Sequence, residues 1–408
     1  MYNELSKRYS SYIDAFDALY KLNTSNEDEI NKIYQKIKTQ LIEGENLSPS
    51  LICNKIENAA RLNNRYIKSY LKLNQKVSEE YHLDNRFLRQ FTLEYTRILR
   101  IQDITVIRLL INDDLKSFIP YSLNKDCILC QNVFCFMFPF LMMNVLELCC
   151  YYGAVNCFKF LRSEFNFGIT RLCLQYSFLG GNQEIINECL KYQIPDDESM
   201  KYTIASHNLD FVTFLMYEHN LKIDLEECAN SNNLNAFFVY FDQTNDVNEC
   251  FVHSPLFGIP SLCEFFRMQV SDIDAKSISL GYSALHLTAN YNCIEESKLL
   301  ISFDININAK NNDGETPLIV ASKSNHEKMV DLLVLYGADI NEKDNTGKTA
   351  LHYAARNNND ESIDILLLHD ADLNAVDNSG KKPALRWHKK LVHGFHEISK
   401  YFDKKLRH

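Results

Sequence analysis

The chain has 408 residues, 46% of them hydrophobic, so it can bury a core in two or three domains or in one elongated array, and global disorder is excluded. Its formal charge of -10 argues against nucleic acid as a partner, because phosphate neutralisation needs a basic surface. Thirteen cysteines, many inside apolar runs such as LELCC (146–150) and LCL (172–174), read as reduced core thiols of an intracellular protein, cytoplasmic or nuclear, and argue against a disulfide framework.

The start, MYNELSKRYS, has no apolar signal core. Residues 1–90 are predicted helical from apolar spacing. Leu5, Tyr9, Ile13, Phe16 and Tyr20 share one face, and Ile30, Ile33, Tyr34, Ile37 and Leu41 share another after the capping cluster Asn23-Thr24-Ser25-Asn26. Ser48-Pro49 opens a third helix as cap and first turn, and Tyr66, Tyr70 and Val77 mark a fourth. No heptad is sustained, so a small helical bundle is expected over 1–125 and not a coiled coil. The longest unbroken apolar run, VFCFMFPFLMM (133–143), is too short to span a bilayer, contains Pro139 and gives way to Asn144 and Glu147.

The last third of the chain repeats. Gly281, Gly314, Gly347 and Gly380 are each 33 residues apart, and Asn308, Asn341 and Asn374 keep the same step. Three rows align: GYSALHLTANYN (281–292), GETPLIVASKSN (314–325) and GKTALHYAARNN (347–358). Each is followed by an apolar helix (SKLLIS, VDLLVL, IDILLL) and then by DININ, GADIN or DADLN. Thr316-Pro317-Leu318 and Thr349-Ala350-Leu351-His352-Tyr353-Ala354 carry the signature of the ankyrin repeat, which these rows resemble. Fainter copies precede them, centred on Gly153, Gly181, Asn208, Asn233 and Gly258, with steps of 28, 27, 25 and 25 and then 34 to Asn292. The shorter steps are expected to come out of the connecting hairpin, since two packed helices need at least ~20 residues.

The expected fold class is therefore all-α: a helical ankyrin-type solenoid with short β-hairpin turns, preceded by a small helical N-terminal domain. Degenerate repeats are assigned to 126–270, about three well-formed ones to 271–380, and a basic cap to 381–408. The middle stretch, closest at LELCCYYGAVNCFKFLRSEFN (146–166), FLGGNQEIINECLKYQ (178–193) and SHNLDFVTFL (206–215), resembles a domain of unknown function that precedes ankyrin repeats in an expanded protein family of parasitic protists. CILCQNVFCFMFPFLMM (127–143) departs from that pattern, being apolar where a polar turn is expected.

Asn312-Asp313-Gly314 and Thr346-Gly347 supply turn chemistry, and Thr316 and Thr349 can cap first helices. The resemblance implies that His286 and His352 bridge neighbouring repeats, that Ile319 breaks this bridge in the middle row, and that Gly337, with Asp304 and Asp370 in its slot, ends second helices in the left-handed conformation. It also implies a concave binding face. On that frame Asn290, Tyr291, Lys323, Ser324, Tyr353, Arg356 and Asn357 point to a protein partner, with Tyr353 and Arg356 foremost because Tyr and Arg are enriched at energetic hot spots. Hairpin tips add Asn311, Asn312, Asp344, Asn345, Asp377 and Asn378.

Other chemistries fit less well. Gly347-Lys348-Thr349 resembles the end of a phosphate loop, but the second glycine is replaced by Glu342, which repels phosphate, and no strand precedes it. Cys127-x-x-Cys130 with Cys135 and Cys149-Cys150 lacks polar turns for zinc, and His388, His393 and His396 lack carboxylate companions. No catalytic motif occurs, so no metal, no cofactor and no enzymatic activity are expected. The function expected is a protein-interaction scaffold or adaptor. The alternative is a peripheral binder of anionic membrane or nucleic acid through the tail, where nine Lys/Arg face two acids between Lys381 and His408. Trp387 is the single tryptophan.

Overall fold

In the computed structural model the described residues are 1–83, 105–123 and 143–384. The apolar segment up to residue 142, with Cys127, Cys130 and Cys135, lies outside them, as do Trp387, His388, His393, His396 and the tail from residue 385 onward. The chain divides into two compact units, Met1–Asn245 and Asp246–His408.

The first unit opens with α1 (Tyr2–Arg8), α2 (Ser10–Tyr20), α3 (Glu27–Lys36), which runs on as a π-helical segment (Ile37–Ile42), α4 (Pro49–Leu62) and α5 (Ile67–Glu80). Asn26 caps α3 by accepting from the amides of Asp28 and Glu29, and Ser48 caps α4 ahead of Pro49. The face predicted from spacing is the buried one: Leu5, Tyr9, Ile13, Phe16 and Tyr20 all lie in the core.

Five helix pairs follow: α6 (Thr105–Ile111) and α7 (Leu115–Ser122), α8 (Val145–Tyr152) and α9 (Val155–Phe165), α10 (Arg171–Gly180) and α11 (Gln183–Leu190), α12 (Asp197–Ala205) and α13 (Leu209–His219), α14 (Leu225–Asn230) and α15 (Leu234–Thr244). The first helices α8, α10, α12 and α14 stack in order. In the second unit α16 (Val247–His253), extended by a short 3-10 turn (Ser254–Phe257), pairs with α17 (Pro260–Arg267). Then come α18 (Ala284–Asn290) and α19 (Ile294–Ile301), α20 (Pro317–Lys323) and α21 (Glu327–Leu335), α22 (Ala350–Asn357) and α23 (Asp360–Leu368).

One backbone device joins the two helices of every pair. A residue with positive φ closes the first helix: Asp113, Gly153, Gly181, His207, Asn232, Gly258, Asn292, Asn325 and Asn358. Gly pays no steric penalty there and Asn or Asp tolerates it. The next residue begins the second helix, often as a side-chain cap, as with Asp114, Asn182, Asn208, Asn233 and Asn359. This corrects the register at two faint repeats, where His207 and Asn232 hold the left-handed position and Asn208 and Asn233 are the caps. It also adds a pair, α6 and α7, that the repeat pattern did not show. Asp113 of that pair caps the next one as well, accepting from the amides of Asn156 and Cys157 at 3.0 and 2.9 Å.

The units differ in how pairs are linked. In the first, residues 166–170, 191–196 and 220–224 suffice. In the second, residues 302–316 and 336–349 form longer hairpin-like turns, and Gly337, Asp304 and Asp370 all adopt positive φ as expected. These turns carry no strand; the isolated bridge between Lys276 and Ser283 is the ladder element found among the described residues. They are cross-linked in series. Asn312, Asn345 and Asn378 donate from Nδ2 to the carbonyls of Ser279, Asn312 and Asn345 in the preceding turn. Lys276, Lys310 and Lys343 donate to the carbonyls of Lys310, Lys343 and Val376 in the following turn. The close approach requires glycine: a Cβ on Gly314 would sit 2.3 Å from Asn345 Oδ1.

In the first unit a different set of groups meets the ends of the helix pairs. His207 Nδ1 lies 2.7 Å from Asp17 Oδ1 and its Nε2 2.7 Å from the Ser231 carbonyl oxygen, with the Tyr20 ring stacked on it at 4.4 Å. The Tyr12 hydroxyl donates to Asn232 Oδ1, and Asn232 Nδ2 donates to the Tyr20 hydroxyl. Further along, the Tyr151 hydroxyl donates to the Leu62 carbonyl and Arg65 donates to the Tyr152 carbonyl. The N-terminal helices thus sit on the pairs from α8 to α15, with the left-handed residues His207 and Asn232 among their anchoring points.

Candidate interaction surface

The surface is built on the first helices and turns of the second unit. His286 and His352 shape it from beneath. His286 Nδ1 accepts from the Ser283 amide at 3.1 Å while Nε2 donates to the Glu315 carbonyl at 2.9 Å; His352 repeats this with Thr349 and with Lys381. The sharing of the amide fixes the tautomer and locks each turn to its own helix and to the next repeat. Burial pushes the His286 imidazole down to about 4, so it is neutral at physiological pH. Ile319 takes the position in the middle row and is buried, so the bridge is absent there, as expected.

Each turn is organised by one side chain. Asp344 Oδ1 accepts from the amides of Thr346 and Lys348, and its Oδ2 from the Tyr353 hydroxyl at 2.7 Å. Burial alone would raise this carboxyl, but the Tyr353, Thr346 and backbone donors outweigh it and hold it below the usual range. Asn311 does the same in the preceding turn, accepting from the amides of Asp313 and Glu315 and donating to the Glu315 carboxylate. Asp377 serves the last turn, where Ser379 and the Lys381 amide hold it down at about 2.

The expected contact residues are placed unevenly. Tyr353 is 7% exposed: burial and the Asp344 carboxylate push its phenol well above the usual value, so it is a packed, hydrogen-bonded side chain and not a free one. Lys323 is exposed but its ammonium is paired with Glu315, a carboxylate that is itself buried. Ser324 donates to Asn290 Oδ1 at 3.0 Å, and Asn357 Nδ2 donates to the carbonyls of Ser322 and Lys323. Tyr291 is half-buried. Arg356 is exposed and enters no ion pair among the described residues. The structure therefore brings Lys323 to the Tyr353 ring, leaves Arg356 exposed three residues further along α22, and gives Asn290, Ser324 and Asn357 to the seams between repeats. Of the expected tips, Asn311 and Asp344 lie inside their turns and Asn312, Asn345 and Asn378 are the cross-links.

Spacing did not single out Lys348. Its ammonium stands 5.7 Å from the Tyr353 ring centroid, with Lys323 5.9 Å from the same centroid. The signal available was its place directly after a repeat glycine, a column that reads Tyr282, Glu315, Lys348, Lys381.

Among the described residues no His, Cys, Asp or Glu side chains converge to hold a metal ion, and no helix is long and apolar enough to cross a membrane. The described cysteines are free thiols, and all but Cys293 are buried.

The stacked helix pairs and their turns define a helical repeat protein of all-α class. Family models agree and specify it. Residues 165–240 match a domain of unknown function (DUF3447), residues 256–344 match ankyrin repeats in three copies, and residues 346–378 match a further ankyrin repeat. The chain thus carries ankyrin repeats behind a domain of unknown function. No curated protein matches it.

Proposed function

We propose that the protein is a non-catalytic scaffold or adaptor that holds a protein partner on the surface centred at Tyr353, with Arg356 and Lys323 making the contact and Asn290, Tyr291, Ser324 and Asn357 at its margin. Ankyrin repeats support a role in protein–protein interaction in general. The observation that supports this particular face is Arg356: it is exposed, unpaired among the described residues, and stands one helical turn beyond a buried tyrosine that fixes the helix beneath it. Reduced, buried thiols support a place in the cytoplasm or nucleus.

The test is capture of a partner from lysate by the full-length protein and by its Arg356→Ala variant. The variant is expected to retain less partner while its stability stays within about 0.5 kcal/mol, as for other exposed positions. Equal recovery by both proteins would remove this face from the interaction.

A further inference from the structure

Positive charge gathers beside Tyr353. Residues 246–384 carry 21 Asp/Glu against 11 Lys/Arg, and residues 385–408 add seven Lys/Arg and two acids. Lys323 and Lys348 flank the Tyr353 ring, Arg356 follows Tyr353 by three residues on α22, and Lys381 takes the place of Lys348 one repeat later with Lys382 next to it. Three of the carboxylates there are engaged in the fold, and a fourth, Asp313, is exposed and adds its charge at Lys323. Asp344 is 7% exposed and bonded to its own turn and to Tyr353, Asp377 accepts from Ser379 and from the Lys381 amide, and Glu315 is 2% exposed between Asn311 and Lys323. Lys323 is thereby neutralised. Lys348, Arg356 and Lys381 enter no ion pair among the described residues, and Lys382 reaches the neutral Asn374 side chain.

Positive charge set in an acidic surface selects by size. A long polyanion reaches past the cluster to the surrounding carboxylates, whereas a short acidic segment is met by the cluster alone within a screening length of about 8 Å. Two turns before that of Lys348, with the Asn312 turn between them, the first turn leaves Ile278 80% and Leu280 50% exposed. A peptide side chain can cover such apolar tips; a phosphate backbone cannot.

We propose that Lys348, Arg356, Lys381 and Lys382, carried by α22 and the turns on either side of its repeat, seat a short peptide segment rich in Asp and Glu on the partner. This rests on the interaction reading above and adds the chemistry of what is bound.

The experiment titrates full-length protein into a fluorescently labelled Asp/Glu-rich peptide containing one leucine, and into the same peptide with every acid replaced by its amide. The acidic peptide is expected to bind saturably and more weakly as salt rises. A Lys348→Gln, Arg356→Gln double variant with unchanged circular dichroism is expected to bind about tenfold more weakly. Equal binding of the amide peptide, or wild-type binding by the double variant, overturns the proposal. So does tighter binding of a single-stranded oligonucleotide, or of phosphatidylserine-containing vesicles, lost in the same variant. Loss of the lysate partner from Arg356→Ala without any acidic-peptide binding rejects the peptide chemistry alone; retention of that partner rejects the interaction reading itself.

Discussion

In the helix pairs from Val145 to Thr244, five or six residues join one pair to the next, and helices from the N-terminal part of the chain close over the ends of the pairs. In the pairs from Ala284 to Leu368 the connections are two to three times longer, and they stack on one another. The repeating unit is the same in both: a helix, a left-handed residue, a cap, a second helix. Every such unit leaves polar groups at its edges that must be bonded. The earlier repeats meet this need with borrowed groups, Asp17, Tyr12 and Tyr20 among them. The later ones meet it with their own asparagine and lysine cross-links and leave side chains such as Arg356 over for other uses.

The largest break in that contrast is expected from Leu351→Asp. Leu351 is 1% exposed between stacked repeats, and a carboxylate there has no partner, so a loss of about 4 kcal/mol or more is expected. Circular dichroism during thermal unfolding should show the later repeats melting early.

Acid probes the same repeats. The His286 imidazole falls from 6.5 to about 4 on folding, so its depressed value stabilises the fold above 6.5. That contribution is lost as pH falls from 6.5 through about 4, because the unfolded chain takes up the proton first; the loss is at most about 3 kcal/mol. Denaturant unfolding across this window should show it, and His286→Gln should flatten it.

His207→Asn acts on the earlier repeats instead. Asparagine keeps the left-handed backbone but cannot reach both Asp17 and the Ser231 carbonyl, at a cost of about 2 kcal/mol. Hydrogen exchange should rise in α1 and α2 and stay unchanged after Asp246. Gly347→Ala is expected to cost about 2 kcal/mol, from a φ of +79° and a Cβ 2.4 Å from Asn378 Oδ1 and 2.8 Å from the Asn378 backbone nitrogen. It should loosen the cross-links at Asn378 without disturbing α1 or α2.

These differences also explain what the sequence disclosed. The later repeats spell out their turns, so the glycine step, both histidine bridges and the gap at Ile319 could be read in advance. The pair α6–α7 could not, because Asn112-Asp113-Asp114 performs the same turn without glycine and without a neighbouring copy in step. The register slipped by one at Asn208 and Asn233 because asparagine suits both the left-handed position and the cap that follows it. At the surface, the helical frame put Arg356 at an exposed position, where the structure has it. The packing of Tyr353 could not be read, because its hydroxyl is taken by Asp344, nine residues earlier, a contact made only when the turn folds back over its helix. Lys348 was hidden behind its likeness to a phosphate loop.

The cross-links of the later repeats run in both directions, asparagine backward and lysine forward, each over one 33- or 34-residue step. Such a scheme makes the repeats interchangeable parts. A copy of residues 314–346 spliced in after Thr346 would bring its own asparagine for the turn before it and its own lysine for the turn after it, and both of its neighbours would already hold the matching groups. Growth by duplication therefore costs no redesign at the joints, and the array can lengthen while the chemistry at its edges stays constant.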